Sequence, residues 1–369
     1  MKRLLLIGGG HSHVEVLLRF ALSPESGVEL TLVNPYPVAG YSGMLPGLVA
    51  GHYRPEDCHI DLLALARRAA CRFVGGAVNG LHVDAKLAFC VDGQTLPWDI
   101  ASIDIGSRPT TLEVSGAAEY ALAVKPIDRF LRSWDALVEE QRKCPSALRV
   151  TVVGGGAAGV ETALAMQHRL RGAGEARFCL ITDMQDVLPT HAGAVRRIFR
   201  RVLSARGIEV HSGRKVVAVR PDAVVLAGGA VVASDVTVWA TGACAPFWPG
   251  ACGLATDATG FIRIGPTLQS VNRPDVFASG DIASMDTMPR PKSGVYAVRQ
   301  GPPLAENLRR ALRGQPLLRY SPQRQALALI STGDRHAVAS RGRLALEGAW
   351  VWKWKDWIDR RFMRRYALE

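Results

Sequence analysis

Val150-Thr151-Val152-Val153-Gly154-Gly155-Gly156-Ala157-Ala158-Gly159-Val160-Glu161 is the stretch that decides the fold. Three valines and a threonine run into three glycines, and a helix-forming segment follows at once. This reads as a buried parallel strand that breaks at a tight turn and opens a helix. The helix is expected over about Val160–Leu170 and a second strand over Arg177–Ile181. The same pattern stands near the start of the chain. Leu4-Leu5-Leu6-Ile7 meets Gly8-Gly9-Gly10-His11-Ser12-His13, with a helix expected over Val14–Leu22 and a strand over Val28–Val33. Two strand–helix–strand units result.

The likeness continues downstream. A hairpin expected over Lys86–Trp98, turning at Asp92-Gly93, leads to the strand Asp99-Ile100-Ala101-Ser102-Ile103-Asp104-Ile105-Gly106. A second hairpin over Lys215–Val232, turning at Gly228-Gly229, leads to Asp235-Val236-Thr237-Val238-Trp239-Ala240-Thr241-Gly242. The offset is 146 from Gly8 to Gly154 and 136 from Gly106 to Gly242, so one architecture is used twice, with loop indels. Between the units, 117–146 reads as a connector and helix ending at Cys144-Pro145. After Gly242 come Gly280-Asp281, a helix over about Val295–Leu312, strands near Ala326–Ile330 and Ala337–Leu346, and a tryptophan-rich helix. The fold class expected is α/β: two Rossmann-like dinucleotide-binding units plus a small C-terminal α+β domain.

Each glycine has a task. The first permits the turn, the second lets backbone approach a pyrophosphate, and the third lets helix and strand pack closely. The helix N-terminus then offers free N–H groups and the positive end of its dipole. The second loop is complete in Gly154, Gly156 and Gly159, and Ala157 within it is a further expected cofactor-binding position. The first has Gly8, Gly9 and Gly10, but His13 stands where the third glycine belongs and is expected to push helix and strand apart. His11 and His13 read as loop-packing residues; no Cys or carboxylate is spaced to join them, so no metal site is expected. The ribose-binding acid of such units falls at Asn34 in the first, able to hydrogen-bond without charge. In the second it falls at Thr182-Asp183. Asp183 there favours NADH by repelling a 2′-phosphate, and Thr182 there removes that preference. Two sites imply two dinucleotides, a flavin and a nicotinamide.

Composition excludes other classes. A chain of 369 residues, 48% hydrophobic and 21% charged, is globular rather than disordered. It has no run long enough to span a membrane, and Leu4–Ile7 is too short for a signal peptide. Seven irregularly spaced cysteines argue against a secreted disulfide framework, so a cytoplasmic location is expected. Net charge is +12 (45 basic less 33 acidic), which suits an anionic surface. No nucleic-acid signature accompanies it, and no nucleic-acid partner is expected.

These marks resemble the pyridine nucleotide-disulfide oxidoreductase superfamily of two-dinucleotide flavoproteins. Within it, the chain is similar to type II NADH:quinone dehydrogenases and to the flavoprotein module fused to selenide, water dikinase. Gly8 to Val14, Tyr41 to Gly47 and Ala297 to Pro302 look most like the latter. The resemblance implies FAD on the first loop and NAD(P)H on the second. It implies an FAD domain of 1–116 with 259–318, an NAD(P)H domain of 117–258 and a C-terminal element of 319–369. Flavin-side positions then include His11, Ser12, Asn34, Ser42, Gly43, Val78, Gly280 and Asp281, with Gly106 and Gly242 at the domain crossings. Glu161 falls at the nicotinamide end. Gln300 is the expected polar residue at the acceptor, and Lys292 is either a cation for the reduced flavin or a solvated lysine.

The disulfide reductases carry a cysteine pair beside the flavin, yet 40–51 has none. Cys244 and Cys252 read either as a thiol pair or as packed small residues. Electrons are therefore expected to pass from flavin directly to a quinone or other small acceptor. The alternatives are a soluble NAD(P)H-dependent reductase linked to selenium metabolism and a non-catalytic flavin redox sensor.

The last helix carries Trp350, Trp354, Trp357, Ile358 and Phe362 at helical spacing. Residues 350–368 hold six basic and two acidic side chains, the mix an interfacial helix needs. Two fates are expected for that stripe: peripheral membrane contact, or packing in a homodimer or on the preceding hairpin.

Overall fold

A computed structural model describes residues 1–367, without the side chains of residues 112 and 113; Leu368, the end of the expected interfacial stretch, and Glu369 lie outside it. The first unit runs β1 (Lys2–Ile7), α1 (His11–Leu22), β2 (Val28–Asn34), β3 (Arg72–Gly75) and β4 (Ile100–Ile103). Leu4 to Ile7 are at most 1% exposed, as a strand covered on both faces must be. β1 lies between β2 and β4, in parallel with both.

The second unit runs β5 (Ala121–Ala123), α2 (Ile127–Lys143), β6 (Leu148–Val153), α3 (Ala157–Arg169), β7 (Ala176–Ile181), α4 (Gly193–Ala205), β8 (Glu209–His211) and β9 (Val236–Trp239). Its sheet has the order β5-β9-β6-β7-β8. The chain then returns to the first sheet through β10 (Val276–Ala278), giving β10-β4-β1-β2-β3. Both sheets change direction of growth beside the glycine loops. Ligands of such sheets bind at that crevice, at the carboxyl ends of the strands.

Both helices start earlier than the apolar pattern implied, because Gly10 and Gly156 are the N-caps and the helix opens on the next residue. Each expected hairpin has a third strand: Val78–His82, Leu87–Cys90 and Thr95–Pro97 in one, Val216–Val219, Ala223–Leu226 and Val231–Ala233 in the other. After α5 (Gly294–Arg313), β11 (Ala328–Ser331), β12 (Ala337–Arg341) and β13 (Leu344–Gly348) form an antiparallel sheet, and α6 (Ala349–Arg364) lies across it.

Helix α6 corrects the expected stripe. Its inner face is Val351, Lys355 and Asp359, all buried, with Tyr366 beyond the helix end. Trp350, Trp354 and Trp357 stay exposed at 53%, 37% and 51%, while Ile358 and Phe362 turn to the cavity described below. One helix cannot bury both arcs. The Lys355–Asp359 pair satisfies its own charges and so takes the inside.

Candidate active site

A single cavity of about 2540 Å³ runs from the first glycine loop to the second. Gly8, Gly9, Gly10, Asn34, Ser42, Gly43, Val78, Gly106 and Asp281 line one end; Gly154, Gly156, Ala157, Asp183 and Gly242 line the other. A Cβ at Gly106, Gly156 or Gly242 would meet no protein atom within 4 Å, so backbone there is bare to whatever fills the cavity. His11 adds a buried Nε2 without a partner among the described residues, and burial lowers the imidazole to about 4, so it is neutral. A glycine-walled groove, with an orphaned ring nitrogen at its first end, fits a dinucleotide at each end.

His13 does not break the first loop. Its Nδ1 meets Gly8 O at 2.6 Å and its Nε2 meets Ser102 Oγ at 2.8 Å, entirely buried. At the matching Gly159 a Cβ would overlap Gly154 O. The ring thus replaces direct contact with a hydrogen bond to the corresponding carbonyl.

Strand register aligns the ribose positions. Ile7 pairs with Val33 and Val153 with Ile181, so Asn34 matches Thr182, not Asp183. Asn34 lies against Gly9, whose N–H it accepts at 2.8 Å; Thr182 lies against Gly155. Asp183 is one residue further on and exposed. The charge argument for NADH loses its residue, while exposed Arg214 and Lys215 line the same end.

Three further expectations are corrected. Gln300 is not a cavity residue: its Oε1 accepts Gly280 N–H at 2.7 Å and so clamps the turn that holds Asp281. Lys292 lines the cavity, donates to Ala283 O at 2.6 Å and stands 3.9 Å over the Phe261 ring, so it is anchored rather than a solvated lysine. Ser12 has its N–H on Asp104 Oδ2 (2.9 Å) and its hydroxyl on Ala297 O (2.7 Å), both committed within the protein. Cys252 accepts Leu81 N–H, and neither it nor Cys244 lines the cavity.

The structure adds residues the sequence reading missed. Lys125 lines the cavity and reaches Asp281 Oδ2 at 2.9 Å, a second cation there besides Lys292. On α6, Lys355 Nζ donates to Gly43 O (2.5 Å) and Asp359 Oδ2 (2.6 Å), and Tyr41 OH donates to Asp359 Oδ1 (3.1 Å). Tyr41 stacks on Phe362 at 4.4 Å and meets His11 edge-on at 5.5 Å. Across the cavity, Glu161 Oε1 accepts Ser331 N–H at 2.7 Å. Enclosure by protein raises Glu161 to about 7, against the pull of Lys355 and that N–H. Lys355 and Asp359, spaced i and i+4, were the signal available: a pair that can be buried together.

Paired parallel sheets, two glycine loops and one cavity between them define a two-dinucleotide flavoprotein oxidoreductase that uses FAD and NAD(P)H. The chain belongs to the pyridine nucleotide-disulphide oxidoreductase family, whose profile matches residues 2–301. It is similar to an NADH dehydrogenase-like protein of Mycobacterium tuberculosis, 26% identical over 71% of this chain and 68% of that one. It is also similar to the demethylphylloquinone reductase of Synechocystis, 25% identical over 90% and 85%. Among solved structures, NDH2 from Plasmodium falciparum in complex with NADH has the same fold, with a TM-score of 0.82 at 15% identity over 98% and 96% of the two chains.

Proposed function

We propose that this flavoprotein passes electrons from NAD(P)H to a quinone-type acceptor that lies between Tyr41, Phe362 and Glu161. The carrying observation is the pairing of an aromatic wall with proton-bearing groups and no lining cysteine among the described residues. Bound FAD and NAD(P)H supply hydride transfer and a two-electron store. The protein's own part is positional. The glycine loops and helix N-termini hold the phosphates, and α6 closes the cavity against water. Reducing a quinone to a quinol takes up two protons. A carboxyl held near 7 is protonated in about half the molecules at neutral pH and suits the task.

Anaerobic mixing tests this. NADH is expected to bleach the flavin band, and a short-chain quinone to restore it. NADPH should bleach at a comparable rate, since Thr182 repels no phosphate. Bleaching that only oxygen reverses would refute the quinone reading.

The exposed face of α6 supports a seat on anionic lipid. Trp350, Trp354 and Trp357 stand beside exposed Lys353 and Arg364, and Arg361 lies 5.2 Å over Trp357. No helix of the described residues is long and apolar enough to cross a membrane. Replacing all three (Trp350→Ser, Trp354→Ser, Trp357→Ser) should cut sedimentation with anionic liposomes at least roughly tenfold and leave bleaching by NADH intact. Unchanged sedimentation, with loss of a dimer instead, would reassign this face to a second copy.

A further inference from the structure

The chain contains its own control for the first glycine loop. Ile7 pairs with Ile103 and Val153 with Trp239, so Asp104 and Ala240 occupy matching positions. Their carbonyls do the same work: a Cβ on Gly8 would run into Asp104 O, and one on Gly154 into Ala240 O. Their side chains differ. Ala240 has no polar side chain to offer the start of α3. Asp104, 2% exposed, accepts from Ser12 N–H (2.9 Å) and His13 N–H (3.3 Å) through Oδ2. These are N–H groups of the kind that an arriving phosphate would otherwise use. Its Oδ1 lies between Gly10 and Gly280, where a Cβ on either glycine would overlap it. No hydrogen bond reaches Oδ1 from the described residues, and Asp104 lines the cavity.

A fixed negative charge there would oppose the pyrophosphate of a dinucleotide. Burial above all, aided by Asp281 and opposed by the N–H groups of His13 and Ser12 and by the Ser12 side chain, holds this carboxyl up at about 7. The facing groups are few. The turn before α5 presents Asp281, paired with Lys125. Helix α1 presents His11 and His13, both lowered to about 4 by burial and so neutral. Helix α5 presents only the uncharged Ala297 and Gln300.

We infer that Asp104 couples FAD binding to the uptake of one proton, so that its neutral Oδ1–H donates to the pyrophosphate that its carboxylate would repel. This rests on the assignment of the first loop to the flavin. The sign follows from linkage. The bound state holds the proton more tightly, so affinity is level below pH 7 and falls about tenfold per pH unit above it. The nicotinamide end, with Ala240, has no such group.

The test titrates the full-length protein, stripped of flavin, with FAD between pH 6 and 8.5. Calorimetry at pH 8 in two buffers of different ionisation enthalpy counts the protons. The expected result is a roughly tenfold rise in Kd from pH 7.5 to 8.5, with about one proton taken up. Asp104→Asn should bind at pH 8.5 about as tightly as at 6.5. Asp104→Ala, which copies the second unit, should also lose the slope. A level wild-type Kd without proton uptake overturns the inference, as does a slope that survives in Asp104→Asn. The wild-type proton count decides the matter even if neither variant folds. FAD that binds at no pH overturns this inference and the flavin assignment together.

Discussion

Gly159→Val is expected to slow bleaching of the flavin by NADH at least about 100-fold, while bound FAD and its reduction by dithionite stay unchanged. Gly159 is where α3 touches the turn that launches it, and even a methyl there would overlap Gly154 O. The valine forces the helix start away from the strand. Overpacking of this kind costs about 1–3 kcal/mol, which a chain with a separate, intact first sheet survives. The rate suffers more than the fold, because a displacement of roughly 1 Å at a binding loop costs about 100-fold in positioning. His13 at the matching position is no counterexample, since its ring bridges Gly8 O and Ser102 Oγ. Stopped-flow absorbance reads the effect. A variant that bleaches at the wild-type rate would show that the second loop does not hold the reductant.

Lys355→Met is expected to destabilise the protein by about 3–5 kcal/mol and to slow reoxidation by quinone about 100-fold. The ammonium is buried between Gly43 O and Asp359, and its loss leaves Asp359 buried with only Tyr41 as a donor. Most of the destabilisation is that stranded charge. The double variant Lys355→Met with Asp359→Leu should therefore regain stability and stay slow with quinone. A further readout separates packing from chemistry. Lys355 pulls the Glu161 carboxyl down, so its removal should shift the fall in reoxidation rate, centred near pH 7 in the wild type, to higher pH. If the double variant recovers both stability and quinone reactivity, Lys355 is structural alone.

The parts legible in the sequence were those written in local pattern. Val150 to Val153 and Leu4 to Ile7 are strands because nothing in them is polar enough to face water except Thr151, itself buried. Gly154 to Gly156 end the strand because Gly154, at φ +128°, adopts a backbone conformation other residues rarely reach. Ala121–Ala123 was not legible: Ala-Leu-Ala, inside a stretch read as connector and helix, carries no strand pattern, and only pairing with β9 makes it a strand. The spacing of the stripe on α6 was legible but not its division: Trp350, Trp354 and Trp357 stay exposed while Ile358 and Phe362 line the cavity. Asp104 was in view, two residues before Gly106 as Ala240 is before Gly242, but its meaning depends on which glycines it sits between.

One consequence of α6 concerns distance. Trp354 and Lys355 are consecutive residues about 100° apart around one helix, the first exposed and the second in the cavity wall. On the proposed reading, a lipid-dissolved acceptor and its reductant are separated by no more than one helix diameter, about 10–12 Å. Such an acceptor never has to cross bulk water. Its search is confined to a plane, and its supply is governed by solubility in the lipid rather than in the surrounding solution.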